Sequence, residues 1–251
     1  MARQNGLIKI EGTLDNLTFY KTKDGNLVRT KGGISKERMA TDPNFRRTRE
    51  NGSEFGMAAS AGKLLRDAIR NLMMTTADAR VTSRLTQVMT NIKNLDTSSI
   101  RGLRSVVEGL ATDDGKQLLK GFNFNNKAIM GAILFKPYAL NNVTGNVIIN
   151  NLIPINDIAF PQGATHVTLK AAWSKVNFET REFDTAISSV SNLPINGTST
   201  NVTLTIATPP TGTNVIDVFL LSIEFYQEVN GVQYSLRNGA FNSLVVSEVL
   251  G

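Results

Sequence analysis

The sequence changes character near residue 125, both in its charge and in the spacing of its apolar residues. Residues 1–125 hold 21 Lys and Arg against 13 Asp and Glu, a net charge of +8, whereas residues 126–251 hold 6 against 8, a net charge of −2. The first part has turn, hairpin and helix patterns, and the second has short alternating patterns typical of strands. We therefore predict two parts that face different partners.

The composition is that of a folded protein without thiol chemistry. The chain has 251 residues, 41% of them hydrophobic, which is enough for one large or two modest domains. Its lack of cysteine excludes disulfides, thiolate metal sites and cysteine nucleophiles. The N-terminus lacks the apolar segment of a signal peptide, and no apolar run approaches the roughly 20 residues that cross a bilayer. We expect synthesis in the cytoplasm, followed by incorporation into a released particle or filament.

Residues 1–33 are predicted to form a small β-meander arm. Strand-like runs occupy 7–12, 16–22 and 27–30, and Asp24-Gly25 supplies the turn before the third run. Three short strands bury little apolar surface by themselves. The arm must therefore lie on the helices, on the C-terminal sheet or on another subunit.

Residues 34–125 are predicted to be helical. Asp42-Pro43 is the clearest helix start, because Asp can cap free amides and Pro fits the first helical turn. This helix should run to about residue 74, with a break near 51–53 as the alternative. Further helices are predicted at 77–95 and 100–110, and a hinge at 121–126.

Three small residues of the first long helix form a candidate packing surface. Gly52, Gly56 and Ser60 are spaced four apart, so they lie on one helix face and permit close approach of another helix. We favour packing within the chain, with a subunit interface as the alternative.

Residues 126–251 are predicted to form a β-sandwich of immunoglobulin-like or jelly-roll type. Seven to nine short strand candidates follow one another, and apolar residues alternate with polar ones in 167–171 and 202–206. Asn230-Gly231 is the strongest hairpin signal. The predicted fold class is α+β, with a small N-terminal β-meander and helices followed by an all-β sandwich.

No catalytic constellation is recognisable in either part. The single histidine, His166, is predicted on a strand in a solvated or hydrogen-bonded role. The acidic clusters at 113–114 and 179–184 lack the oxygen spacing of a calcium loop, and no phosphate-binding loop occurs. We therefore predict a protein that is not an enzyme and needs no cofactor or metal.

Basic and aromatic residues are interleaved in the first part, a mixture that single-strand binders use for phosphates and bases. Glu50 lies at helical pairing distance from two of these cations. We favour a salt-bridged face or a contact to a neighbouring subunit, with nucleic acid as the alternative partner. The candidate assembly or polyanion contacts are Phe19, Tyr20, Lys21, Arg29, Arg46, Arg47 and Arg49.

Two N-terminal strings, GTLDNLTFYKTKDGNLVRTKGG and RTRENGSEFGMAASAGKLLR, carry a resemblance. They are similar to a family of uncharacterised bacterial proteins, chiefly from Bacteroidota, in which a short Gly-rich hairpin region precedes a helical segment and a variable C-terminal part. The resemblance covers about residues 1–125. It implies a bacterial or bacteriophage origin and supplies no activity or site.

The leading functional hypothesis is a self-associating structural protein, a homo-oligomer that forms part of a phage or virus-like particle, a tail or a filament. An arm of this kind can complete a neighbour's sheet through main-chain hydrogen bonds, without an active site. The alternatives are a nucleic-acid-binding protein that uses the basic part and a carbohydrate-binding module. In the latter, Trp173 and Tyr234 would stack on a sugar, although we favour a core role for both.

Overall fold

The computed structural model describes residues 2–30, 33–236 and 239–251. The chain divides into two compact units, Met1–Asn51 and Gly52–Gly251. This boundary does not coincide with the predicted domain limits at 33 and 125. The sequence also predicts a turn at residues 237–239, and this turn lies partly outside the described residues.

The N-terminal unit contains a four-stranded antiparallel sheet. Its strands are β1 (Ala2–Arg3), β2 (Gly12–Leu14), β3 (Leu17–Thr22) and β4 (Gly25–Thr30), in the order β1-β4-β3-β2. The helix α1 (Lys36–Thr41) and a 3-10 turn (Pro43–Phe45) follow, and α2 (Arg46–Ala68) begins in this unit. The predicted β-meander is thus confirmed, with one more strand than expected.

The strand predicted at residues 7–12 is wrong, since only Gly12 belongs to a strand. Gln4 closes the preceding segment into a loop: its Oε1 accepts from the Ile10 amide at 3.0 Å, and its Nε2 donates to the Ile10 carbonyl at 3.2 Å. These bonds take up the main-chain groups of Ile10 that an adjacent strand would use.

The predicted helix start at Asp42-Pro43 is confirmed. The Asp42 carboxylate accepts from the Asn44 amide at 2.9 Å, which caps the turn that leads into α2. The helix is not broken at 51–53. It ends at Ala68, and α3 (Arg70–Thr76) follows, with Ile69 in a non-helical conformation between the two. The remaining helices are α4 (Val81–Lys93), α5 (Val106–Ala111), α6 (Asp113–Leu119), α7 (Met130–Ile133) and α8 (Pro154–Asp157).

The C-terminal part is an antiparallel β-structure of two sheets, and the predicted α+β class with a sandwich-like C-terminal part is confirmed. Its strands are β5 (Ala139–Leu140), β6 (Val147–Leu152), β7 (His166–Asn177), β8 (Glu182–Ile187), β9 (Ser191–Pro194), β10 (Thr200–Leu204), β11 (Ile216–Val229), β12 (Val232–Ser235) and β13 (Ser243–Leu250). In the larger sheet, β8 and β9 pair with β7, β7 pairs with β11, and both β12 and β13 pair with β11. The smaller sheet has the order β10-β6-β5.

The side chains of the central strands alternate between the two faces of the larger sheet and contribute to two apolar clusters. On β11, Val218 and Leu220 belong to the apolar cluster that includes the helices, whereas Leu221 and Ile223 belong to the cluster that includes the smaller sheet. Successive side chains of a strand point to opposite faces, so one sheet serves both clusters. The larger sheet therefore lies between a helical layer and the smaller sheet.

The predicted hinge at 121–126 is packed into this core. The Phe124 ring is fully buried, and the Phe124 amide donates to the Leu244 carbonyl at 2.8 Å. The Gly121 amide donates to the Val246 carbonyl at 2.8 Å, so the segment lies along β13. One apolar cluster consequently contains residues from both sides of residue 125.

The hairpin predicted at Asn230-Gly231 is confirmed. It joins β11 to β12, and both residues have positive φ, 51° and 77°. Asn and Gly tolerate this left-handed conformation better than other residues, which is why the pair specifies a tight hairpin turn.

Candidate assembly surface

The described part of the N-terminal unit contains no buried residue. Apolar side chains in its loop and strands are open to solvent: Leu7 is fully exposed and Ile8 is 82% exposed. A small sheet gains stability only when one of its faces is packed. The N-terminal unit therefore presents apolar surface that its own residues do not cover.

One face of its sheet is apolar. Leu14 pairs with Leu17 across β2 and β3, and Phe19 pairs with Val28 across β3 and β4. Because side chains alternate along a strand, these four residues share one face, which we call the apolar face. Leu14 is 65% exposed and Leu17 is 40% exposed.

The opposite face carries an aromatic and basic pair. The Arg29 guanidinium lies 5.5 Å from the centre of the Tyr20 ring, a cation–π distance. Alternation places Phe19 and Lys21 together on the apolar face instead. The four candidates of the meander are thus divided between two faces, and one nucleic-acid strand lying on one face could not stack on both rings.

The arginine candidates of the helical segment make contacts within the unit. Arg46 Nε donates to Glu50 Oε1 at 2.9 Å, and Arg47 Nη1 donates to Glu50 Oε2 at 3.3 Å. Arg49 Nη1 donates to the carbonyl oxygens of Met39 and Asp42 at 2.9 and 3.0 Å. Arg49 therefore fixes the end of α1 to α2. The side chains of Arg46 and Arg47 remain 80% and 69% exposed.

The stripe of small residues is open over part of its length. A Cβ atom added to Gly52 or Gly56 would meet no other group within 4 Å, so the favoured packing within the chain does not occur at these two positions. Ser60 is half-buried beside a narrow cleft of about 130 Å³. Gly62 is buried instead, and a Cβ atom added there would lie 3.6 Å from the Leu85 side chain of α4. A subunit contact at Gly52 and Gly56 stays a prediction.

Sequence reasoning missed the buried carboxylates of the helical part, Glu54 and Asp96. Glu54 is 3% exposed, forms an ion pair with Lys93, and accepts from the Gly102 amide at 2.7 Å. Burial raises the pKa of Glu54, but the hydrogen bonds and the positive charges of Lys93 and Arg104 lower it by more, so the net shift is downward. This pair connects α2, α4 and the following loop.

Asp96 organises the loop between α4 and α5. Its carboxylate accepts from the amides of Ser98, Ser99 and Ser105 at 2.8 to 3.0 Å. Burial raises the pKa of Asp96, but these hydrogen bonds lower it by more, and the net pKa lies well below the usual range. Both carboxylates have partners that hold the fold, which accounts for their burial without a catalytic role.

The other polar residues considered in the sequence also have structural partners. His166 Nδ1 lies 3.0 Å from Thr165 Oγ1, in the hydrogen-bonded strand role predicted for it. The Trp173 ring is buried against Phe219, and its indole N–H donates to Asp217 at 2.6 Å. Tyr234 lies on β12 and is 58% exposed, so the favoured core role is confirmed for Trp173 and wrong for Tyr234.

Within the described residues, no three His, Asp or Glu side chains are arranged to hold a metal ion. In the same part of the chain, no helix has both the length and the apolar character to span a membrane.

Comparison of the chain with protein-family models, with curated proteins and with solved structures finds no match. The resemblance to a bacterial family therefore stays a prediction.

Proposed function

We propose that this protein is a non-enzymatic structural component that self-associates, in a particle, tail or filament, through its N-terminal unit. The observation that supports the proposal is the absence of any buried residue in the described part of that unit. A sheet with an open apolar face gains stability when another protein surface covers it. Another copy of the same chain supplies such a surface without any additional partner.

The test is a pair of matched substitutions in the full chain. Leu14 on the apolar face is 65% exposed, and Leu103 in the Gly52–Gly251 unit is 63% exposed. Burying a leucine contributes about 1.5–3 kcal/mol, so Leu14→Asp should weaken association roughly tenfold or more. Leu103→Asp should leave association unchanged, because Leu103 lies in the loop between α4 and α5 and not on the apolar face.

The measurement is the molar mass of each variant by light scattering over a concentration series, with far-UV circular dichroism as the check on folding. Association of Leu14→Asp at the same concentrations as the unsubstituted chain would overturn the assignment to the apolar face. A chain that stays monomeric at every concentration would overturn the proposed function itself.

Nucleic-acid binding is the second candidate, favoured by the charge of the N-terminal unit. Residues 1–51 hold 11 Lys and Arg against 6 Asp and Glu, a net charge of +5. Against it, Glu50 pairs with both Arg46 and Arg47, and this reduces the local positive potential. If this candidate is right, binding to a single-stranded oligonucleotide should weaken with salt by a log–log slope of about −0.7 per neutralised phosphate. Replacing Arg46 and Arg47 by Ala should flatten that slope, and absence of any oligonucleotide binding would exclude the candidate.

A further inference from the structure

A strand-prone segment of the N-terminal unit is left outside its sheet. Residues 6–11 lie between β1 and β2, and Leu7, Ile8 and Ile10 are 105%, 82% and 47% exposed. Lys9 Nζ donates to the carbonyls of Gln4 and Gly6 at 2.6 Å, and both hydrogen bonds are exposed to solvent. Gln4 makes two more exposed hydrogen bonds, to the amide and the carbonyl of Ile10, so opening the loop breaks four bonds that contribute about 0.5–1.5 kcal/mol each. The added strand must replace these bonds with its own main-chain bonds to β8.

An uncovered edge strand of the Gly52–Gly251 unit borders a groove whose lining is part apolar and part polar, with Asp67 and Arg70 among its polar residues. Among the described residues β8 pairs with β7 alone, so its outer edge keeps free main-chain groups. Phe183 and Ile187 lie on the helical side of β8 and are 45% and 40% exposed. Between them and residues 67–72, where α2 meets α3, lies a cleft of about 360 Å³.

The groove exists because the helical layer covers only part of the larger sheet. The layer covers the central strands, where Ala172 is 1% exposed and Val218 is fully buried, but it leaves the edge strand β8 half open. Ala68 and Leu72 are buried and contribute apolar lining to the cleft. An extended segment placed beside β8 would bury alternate side chains in this groove and continue the sheet through main-chain hydrogen bonds.

The segment is long enough for the edge. Eight residues, 4–11, connect β1 to β2, and the six that carry Ile8 and Ile10 can span the six residues of β8, about 20 Å in extended conformation.

The alternation also matches. Ile8 and Ile10 would lie on one side of an added strand, toward the groove, and Lys9 and Glu11 would lie on the other side. That other side of β8 carries Glu182 and Asp184, which pair in register with Asn177 and Lys175 of β7. In a parallel register that sets Ile8 beside Phe183, Lys9 lies beside Asp184 and Glu11 lies beside Ala186, so the lysine complements the acidic residues of the edge.

We propose that residues 6–11 of one copy add to β8 of a second copy, with Ile8 and Ile10 in the groove at the α2–α3 junction. This inference rests on the proposed self-association and assigns the surface that receives the arm. The chain contains no cysteine, so single cysteines can report the contact directly.

The experiment mixes two single-cysteine variants of the full chain under mild oxidation. Ile8→Cys is mixed with Phe183→Cys, with Ile187→Cys, or with Val143→Cys as the control, since Val143 is 82% exposed and does not line the cleft. Adjacent strands are about 4.8 Å apart, within the Cα separation that a disulfide bridges. We expect the Ile8→Cys variant to cross-link to position 183 or 187 at least tenfold faster than to position 143, as measured by mass spectrometry of the linked peptides.

A charge substitution provides the second readout. Lys9→Glu should reduce the cross-linking at least several-fold, because it would place a carboxylate beside Glu182 and Asp184, whereas Lys36→Glu on α1 should leave it unchanged. Equal rates at positions 143, 183 and 187 in a chain that associates would overturn this inference and leave the proposed function intact. A chain that is monomeric by light scattering would overturn both.

Discussion

Replacing Lys93 by methionine would leave the Glu54 carboxylate buried without its cation. The two side chains are 8% and 4% exposed. Removing one partner of a buried ion pair costs about 3–5 kcal/mol, because the remaining charge stays out of water. In a chain of this length each kcal/mol lowers the melting temperature by about 2–4 °C, so Lys93→Met should lower it by roughly 6–20 °C.

The double variant Glu54→Met, Lys93→Met distinguishes the contribution of the ion pair to stability from that of side-chain packing. It removes both charges and leaves the Gly102 amide without its acceptor, a loss of about 1–3 kcal/mol. Its cost should therefore be smaller than the sum of the two single substitutions. Urea unfolding followed by far-UV circular dichroism measures all three variants. Additive costs, or a cost of Lys93→Met below about 1 kcal/mol, would refute the reasoning.

The pH dependence of the same variants gives an independent check. The folded-state pKa of Glu54 lies below its ordinary value of 4.5. The stabilisation by the ionised Glu54 is therefore complete above that ordinary value and is lost as the pH falls through the folded-state pKa. Without Lys93 the carboxyl group takes up a proton more readily. The difference in stability between the unsubstituted chain and Lys93→Met should thus be smaller at pH 3 than at pH 7.

Three further outcomes follow from the packing. Gly109→Ala would place a Cβ atom 2.1 Å from a carbonyl oxygen of α4, so it should lower the free energy of unfolding in urea by at least about 1–3 kcal/mol. The control Gly131→Ala places its Cβ in open space and should change that free energy by less than about 1 kcal/mol. The lowered pKa of Asp96 predicts a loss of stability as the pH falls below about 4, and Asp96→Asn should flatten this dependence. The larger sheet shares its core with the helices, which only the longer of two fragments contains. Residues 52–251 should therefore unfold cooperatively on heating, as followed by circular dichroism, whereas residues 126–251 alone should show weak or no cooperative unfolding.

The sequence predicts those elements whose signals are local. Asp42-Pro43 begins the helical segment, and Asn230-Gly231 forms its hairpin, because capping and positive φ depend on adjacent residues. The apolar spacing within 77–95 likewise predicts α4, which spans Val81–Lys93. The strand at 7–12 fails because a side chain outside the alternating run, Gln4, binds its main chain.

Contacts between segments that lie far apart in the chain could not be predicted from such local signals. Glu54 and Lys93 are 39 residues apart, and a charge pattern treats both as solvated residues of helix surfaces. The groove beside β8 depends on how far the helical layer extends over the sheet, a property of tertiary packing alone. For the same reason the change of period near residue 125 marks a change of secondary structure and not the boundary of the compact units.

The charge asymmetry of the chain has its origin in the short N-terminal unit. The whole chain has a net charge of +6, and residues 1–51 carry +5 of it. The unit whose described residues are all at least partly exposed is thus the one with the largest excess of positive charge. Positive charge favours contact with an acidic surface over a basic one, and β8 carries Glu182 and Asp184. The excess of lysine and arginine in this unit therefore supports the acidic surface that we propose as the site that receives it.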